Sequence, residues 1–144
     1  MEFIETYLDY AIICVLGVMS FLVLWFAVER FLYYRGIDLH QFTHPDELQV
    51  ALTRNLTLIS SIGANAPYIG LLGTVFGIML TFYDMGRSGD INTQSIMVGL
   101  ALALKATAMG LLVAIPAMVF YNGLLRRVDV LTARWNQDCR REAV

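Results

Sequence analysis

Lys105 is the residue whose position most calls for a chemical explanation, because it stands in the otherwise apolar run GLALALKATAMGLLVAIPAM at 99–118. Thr107 follows two residues later, and an earlier apolar run carries Asn65, Thr74 and Thr81. If these runs cross a bilayer, a central lysine costs about 2.5–3.5 kcal/mol on insertion scales. Its ammonium then needs a carboxylate partner, an aqueous cavity, or loss of its proton. Lys105 lies about nine residues inside its run, ~13 Å at 1.5 Å per residue, too deep for the side chain to snorkel fully. The threonines are weaker signals, since each can simply bond back to its own helix. No span holds an aspartate or glutamate at depth, and Glu29 and Asp84 fall near boundaries. The expectation is that a second protein brings the acid.

Other reactive side chains offer less. His40 and His44 are four apart with no further ligand nearby, whereas structural zinc wants four. No metal and no cofactor is expected. Cys14 falls in an apolar run and Cys139 in a basic tail, so no disulfide joins them. There is no nucleophile–base pair and no phosphate-binding glycine loop, so no enzyme is expected.

The composition says what must position these residues. The chain has 144 residues, 58% of them hydrophobic and 15% charged, against about 25% charged in a soluble domain. Mean hydropathy is +0.62. Three apolar runs, about 10–28, 64–82 and 96–121, are each long enough to cross a ~30 Å hydrocarbon core as a helix. They are apolar all round, which argues against a soluble helical core. The acidic start MEFIETYLDY does not suit a cleaved signal, so the first run should be retained. The fold class predicted is an all-α membrane protein with three transmembrane helices. Arg30, Arg35 and Arg54 lie between the first two spans, Arg87 alone between the next two, and Arg126, Arg127, Arg134, Arg140 and Arg141 after the third. The positive-inside rule then sets the N-terminus outside and the C-terminus in the cytoplasm. The same pattern accounts for the arginines without nucleic acid.

Outside the spans two further helices are expected, about 45–61 and 122–141. Thr43, Pro45 and Asp46 read as the start of the first, which should run on into the second span. Its stripe of Leu48, Leu52, Leu56 and Ile59, and the stripe Leu124, Val128, Leu131 and Trp135, each need an apolar partner and could pack together. Pro67 and Pro116 mark expected bends. The polar stretch DMGRSGDINTQS makes the second and third spans a tight hairpin. Small residues line both: Gly70, Gly73 and Gly77 in one, and Gly99, Ala103, Ala106, Gly110, Ala114 and Ala117 in the other. Small residues let membrane helices approach closely. Packing within one chain would explain one such stripe per helix. Because three spans enclose little space, a homo-oligomer in the lipid membrane is the favoured expectation.

The stretches RNLTLISSIGANAPYIGLLGTVFGIMLTF (54–82) and GLALALKATAMGLLVAIPAMVFYN (99–122) resemble the second and third spans of the ExbB/TolQ/MotA proton-channel family, most of all its ExbB branch. ERFLYYR after the first span is also typical of the family. The resemblance implies a pentamer in the inner membrane of a Gram-negative bacterium. Two single-span ExbD helices, each with an essential aspartate, would occupy its pore. Proton flow would then energise TonB and so outer-membrane uptake of iron chelates and vitamin B12. It places the family's pore threonines on Thr74 and Thr107; Lys105 is expected on the same proton pathway from its own position, paired with an acid of the partner or of an adjacent chain. It also departs from the family. Leu102 stands where relatives carry a glutamate, and Lys105 where a leucine is common. Residues 102 and 105 are about 60° apart on a helix, whereas Thr107 is about 200° from Lys105. No account of this chain can therefore rest on a glutamate relay in this helix. The chain reads as a minimal version of larger relatives. The competing readings are a TolQ-like subunit of the Tol–Pal envelope system, a four-span MotA-like stator, and a passive membrane scaffold.

Overall fold

The computed structural model describes residues 2–144 and is helical almost throughout. Helix α1 is Glu2–Gly36, α2 is Pro45–Thr53, α3 is Leu56–Ser88 and α4 is Thr93–Glu142, with one short 3-10 turn at Leu39–Gln41 between α1 and α2. Three of these, α1, α3 and α4, are long and apolar enough to cross a membrane. At 1.5 Å per residue they run about 50, 50 and 75 Å, so each outruns the ~30 Å hydrocarbon layer. Large apolar side chains such as Phe21, Trp25, Leu72, Met79 and Leu112 stand exposed along them. A water-soluble surface rarely tolerates so much contiguous apolar area. The chain is a membrane protein.

The hairpin joining α3 and α4 is cut by two capping residues. Gly89 adopts a left-handed φ of 67° and its N–H donates to the Met85 carbonyl, closing α3. A glycine takes that conformation without the steric cost a Cβ would bring. Asn92 opens α4 by accepting from the Gln94 N–H at 3.0 Å, the usual work of an N-cap. The two helices therefore run antiparallel. Gly63 meets Ala117, Gly70 meets Gly110, and Gly99 meets Thr81. Helix α1 lies parallel to α4 across this hairpin. Ile12 and Leu16 pack with Ala114 and Ala106 near one end, and Val23, Ala27 and Tyr34 with Ala117, Leu124 and Val128 toward the other.

The two amphipathic stripes do meet. Leu48, Leu52, Leu56, Ile59, Val128, Leu131 and Trp135 are all buried in one cluster at the arginine-rich end. The Trp135 indole donates to the Phe42 carbonyl at 3.1 Å and ties α4 to the loop. Two expectations need correction. The helix starting at Pro45 does not run on into the second span, because Arg54 leaves the helical conformation at a ψ of 132° and Asn55 adopts a left-handed φ of 66°. Asparagine is among the few residues with a side chain that enter this region readily. Residue 44, not Thr43, occupies the cap position, and it makes no side-chain cap bond. At the other end the span and the following helix are one element, α4, continuous through Pro116, as α3 is through Pro67.

A charged clamp fixes the break. Arg30 is only 3% exposed. It donates to both Glu29 carboxylate oxygens at 2.6 Å and to the Ala51 carbonyl at 2.8 Å. Its guanidinium also sits 4.4 Å from the Tyr33 ring centroid. The neighbouring Tyr34 hydroxyl donates to the Leu52 carbonyl. Tyr34→Phe should remove about 1 kcal/mol, the usual net value of such a bond. Thermal unfolding in nanodiscs should show a midpoint lower by roughly 2–4 °C. An unchanged midpoint would mean that this contact does not hold α2 in place.

Candidate functional site

The close approach of α3 and α4 is set by residues that have almost no side chain. A Cβ placed on Gly70 would lie 2.6 Å from the Ala106 carbonyl oxygen, 3.0 Å from Thr107 Cα and 3.1 Å from Gly110 Cα. One on Gly110 would lie 2.6 Å from the Ala66 carbonyl oxygen. Real side chains do not come so near backbone, so only glycine fits at this crossing. Gly77 rests on Ala103 in the same way, and Gly73 on Ala106 and Ile12. Ala114 is buried between α1 and α3. The small-residue stripes are thus used inside the chain, and they no longer argue for further copies.

This crossing brings two hydroxyls together. Thr74 Oγ1 and Thr107 Oγ1 are 2.6 Å apart, and either can donate. Thr74 also reaches the Ala103 carbonyl across the interface at 3.0 Å, and the Gly70 carbonyl one turn back at 3.4 Å. Thr107 reaches the same Gly70 carbonyl at 3.4 Å. Each hydroxyl carries one proton, so two arrangements satisfy the pair. In one, Thr107 donates to Thr74, which donates to Ala103. In the other, Thr74 donates to Thr107, which donates to Gly70. Turning both hydroxyls reverses the direction of the chain. Thr74 is 7% exposed while Thr107 is only half-buried. Thr74 is thus the closed end of the pair and Thr107 the partly exposed one.

The other candidates behave differently. Thr81 donates to the Gly77 carbonyl at 2.9 Å and Asn65 to the Ser61 carbonyl at 2.7 Å. Both bond back to their own helix. Lys105 is exposed and does not join the threonines. It lines a narrow groove between α1 and α4 with Asp9, Ile12, Ile13, Leu102 and Met109. Asp9 is the residue that sequence reasoning missed. It precedes the apolar run at Tyr10 and so was excluded from the span, yet α1 is already helical there. Nearer the hairpin turn a cavity of about 360 Å³ is lined by Glu5, Thr81, Asp84 and Asp90 among others, with no basic residue among them. Thr81 and Thr74, seven apart, share a face of α3, so this acidic mouth lies on the same side of α3 as Thr74, about two turns nearer the hairpin turn.

Residues 41–137 match the model of the MotA/TolQ/ExbB proton channel family. That range includes the threonine pair, the glycine crossing and Lys105, and the chain belongs to this family. It is also 53% identical over 135 residues to the biopolymer transport protein ExbB of Helicobacter pylori, covering 94% of this chain and 93% of that one. Its likeness to the ExbB of Aquifex aeolicus is 49%, covering 94% and 91%. To the ExbB of Neisseria gonorrhoeae it is 47% identical over 77 residues, which is 54% of this chain and 35% of the longer relative. The protein is thus a short, ExbB-like biopolymer transport protein of a channel family, not an enzyme.

Proposed function

We propose that this chain is the channel and stator subunit of a proton-driven energy transducer in the inner membrane of a Gram-negative bacterium. The hydrogen-bonded Thr74–Thr107 pair, buried at Thr74 and partly exposed at Thr107, is the observation that carries this reading. A carboxylate presented to Thr107 would accept a hydrogen bond from its hydroxyl. Thr74 would then turn to donate to Thr107, so the pair stays satisfied whether the acid is charged or neutral. That suits a site where an acid must repeatedly gain and lose a proton.

Among the described residues no acid stands at the pair, so in this reading the acid belongs to a partner. In this reading five copies enclose two ExbD-like single-span helices, each bringing an aspartate to the threonines. The arginine-rich end faces the cytoplasm, and the acidic mouth by Asp84 and Asp90 faces the periplasm and concentrates protons. Motion of the partner then energises a TonB-like protein and uptake across the outer membrane. The likeness to ExbB proteins over nearly the whole chain supports the TonB role over the TolQ one. Co-expression with the ExbD-like protein, followed by native mass measurement, should give five copies with two partners. A chain that extracts alone, or in another ratio, would contradict the proposal.

A further inference from the structure

Lys105 has no ion-pair partner within 4.0 Å among the described residues. It also faces away from the threonine pair, since Thr107 is two residues on and about 200° round the helix. We infer that Asp9 of α1 is the counter-ion of Lys105, and that the two form a clasp between α1 and α4 near the hairpin end of the molecule.

Three observations carry this. First, both side chains line the same groove, whose other lining residues Ile12, Ile13, Leu102, Ala106 and Met109 are apolar. Second, the register is right. Ile12 and Ala106 both touch the position of a Gly73 Cβ, at 2.6 and 2.7 Å. Residue 12 of α1 is therefore level with residue 106 of α4. Asp9 lies one turn before Ile12 on the same face of α1. The helices are parallel, and side chains lean toward the helix N-terminus, so the lysine leans toward the end where Asp9 stands. Third, the groove is shallow. It offers only about 10 Å³ for ordered water, roughly the least that admits one molecule, so little water stands between its apolar walls.

The consequence is specific. The charge that this helix carries beside Leu102 is neutralised within the subunit, on the side away from Thr107. The partner's acid is then left to the threonines. This holds whether or not the chain works with an ExbD-like protein, because it requires only that the groove lie in apolar surroundings.

A double-mutant cycle on the full chain in nanodiscs tests it, reading the thermal midpoint with and without the ExbD-like partner. Asp9→Asn strands the ammonium and should lower the midpoint by roughly 4 °C or more. In a Lys105→Met background, which inserts more readily than the original, Asp9→Asn should change nothing. The exchanged pair, Asp9→Lys with Lys105→Asp, should regain at least half of what Asp9→Lys loses. Equal effects of Asp9→Asn in both backgrounds would overturn the inference. So would a neutral Asp9→Asn alongside a Lys105→Met that weakens the chain only when the partner is bound, since Lys105 would then pair with the partner's acid.

Discussion

Replacing Gly70 by alanine should lower the thermal midpoint by roughly 3–8 °C and abolish proton coupling, although alanine is the better helix former. In an unobstructed helix that change gains about 0.5–1 kcal/mol. Inserting a methyl group into a packed interface costs about 1–3 kcal/mol, occasionally more. The obstruction at Gly70 is a carbonyl oxygen and two Cα atoms of α4, at 2.6–3.1 Å. Backbone cannot rotate aside as a side chain can, so the upper end of that range applies and the steric term wins. The helices must part, and the Thr74–Thr107 contact parts with them. Gly86→Ala is the control: it lies in the same helix with nothing within 4 Å of its added Cβ. It should leave the midpoint unchanged or slightly raised. If the two variants melt together, the close crossing is not what holds the hairpin.

The threonines should separate stability from function. Thr74→Val leaves Thr107 without its hydroxyl partner, and Thr107→Val does the reverse. Each remaining hydroxyl keeps a carbonyl, Gly70 for Thr107 and Ala103 for Thr74, so each single change costs one hydrogen bond, about 0.5–1.5 kcal/mol. The double change Thr74→Val with Thr107→Val removes both, and paired apolar replacements of similar shape are nearly neutral. The double variant should therefore assemble better than Thr74→Val. Yet it should lose energised outer-membrane uptake most completely. A hydrogen bond to a charged group is worth about 1.5–3 kcal/mol, which predicts a fall of roughly 10- to 100-fold. Thr74→Ser with Thr107→Ser keeps both hydroxyls and should retain most uptake. Equal loss in the serine and valine pairs would show that the methyl groups, not the hydroxyls, matter.

Much of this was legible in the sequence because the physics was local. Apolar length fixed three spanning helices, the polar stretch DMGRSGDINTQS announced the hairpin, and the stripes through Leu52 and Trp135 announced their own burial. What remained hidden depended on register between helices. Spacing alone gave Thr74, Thr81 and Thr107 the same standing, and it was the family resemblance that set Thr74 and Thr107 apart. Only the Gly70–Gly110 crossing shows that Thr74 and Thr107 meet while Thr81 bonds back to its own helix. The left-handed Asn55 was likewise invisible to periodicity, because Leu52, Leu56 and Ile59 keep helical spacing across the break. Asp9 was missed for a different reason. A hydropathy boundary ends a span at the last apolar residue, but a helix and its neighbours carry on past it.

The most direct test of the central claim, that the threonine pair handles protons in an assembled channel, is proton flux. The chain and its ExbD-like partner would be reconstituted in liposomes under an imposed pH gradient and potential, at matched amounts of assembled complex. The original complex should conduct, and Thr74→Val with Thr107→Val should conduct at least about tenfold less while keeping its subunit ratio. Flux undiminished in that double variant would place the proton path elsewhere and contradict the account.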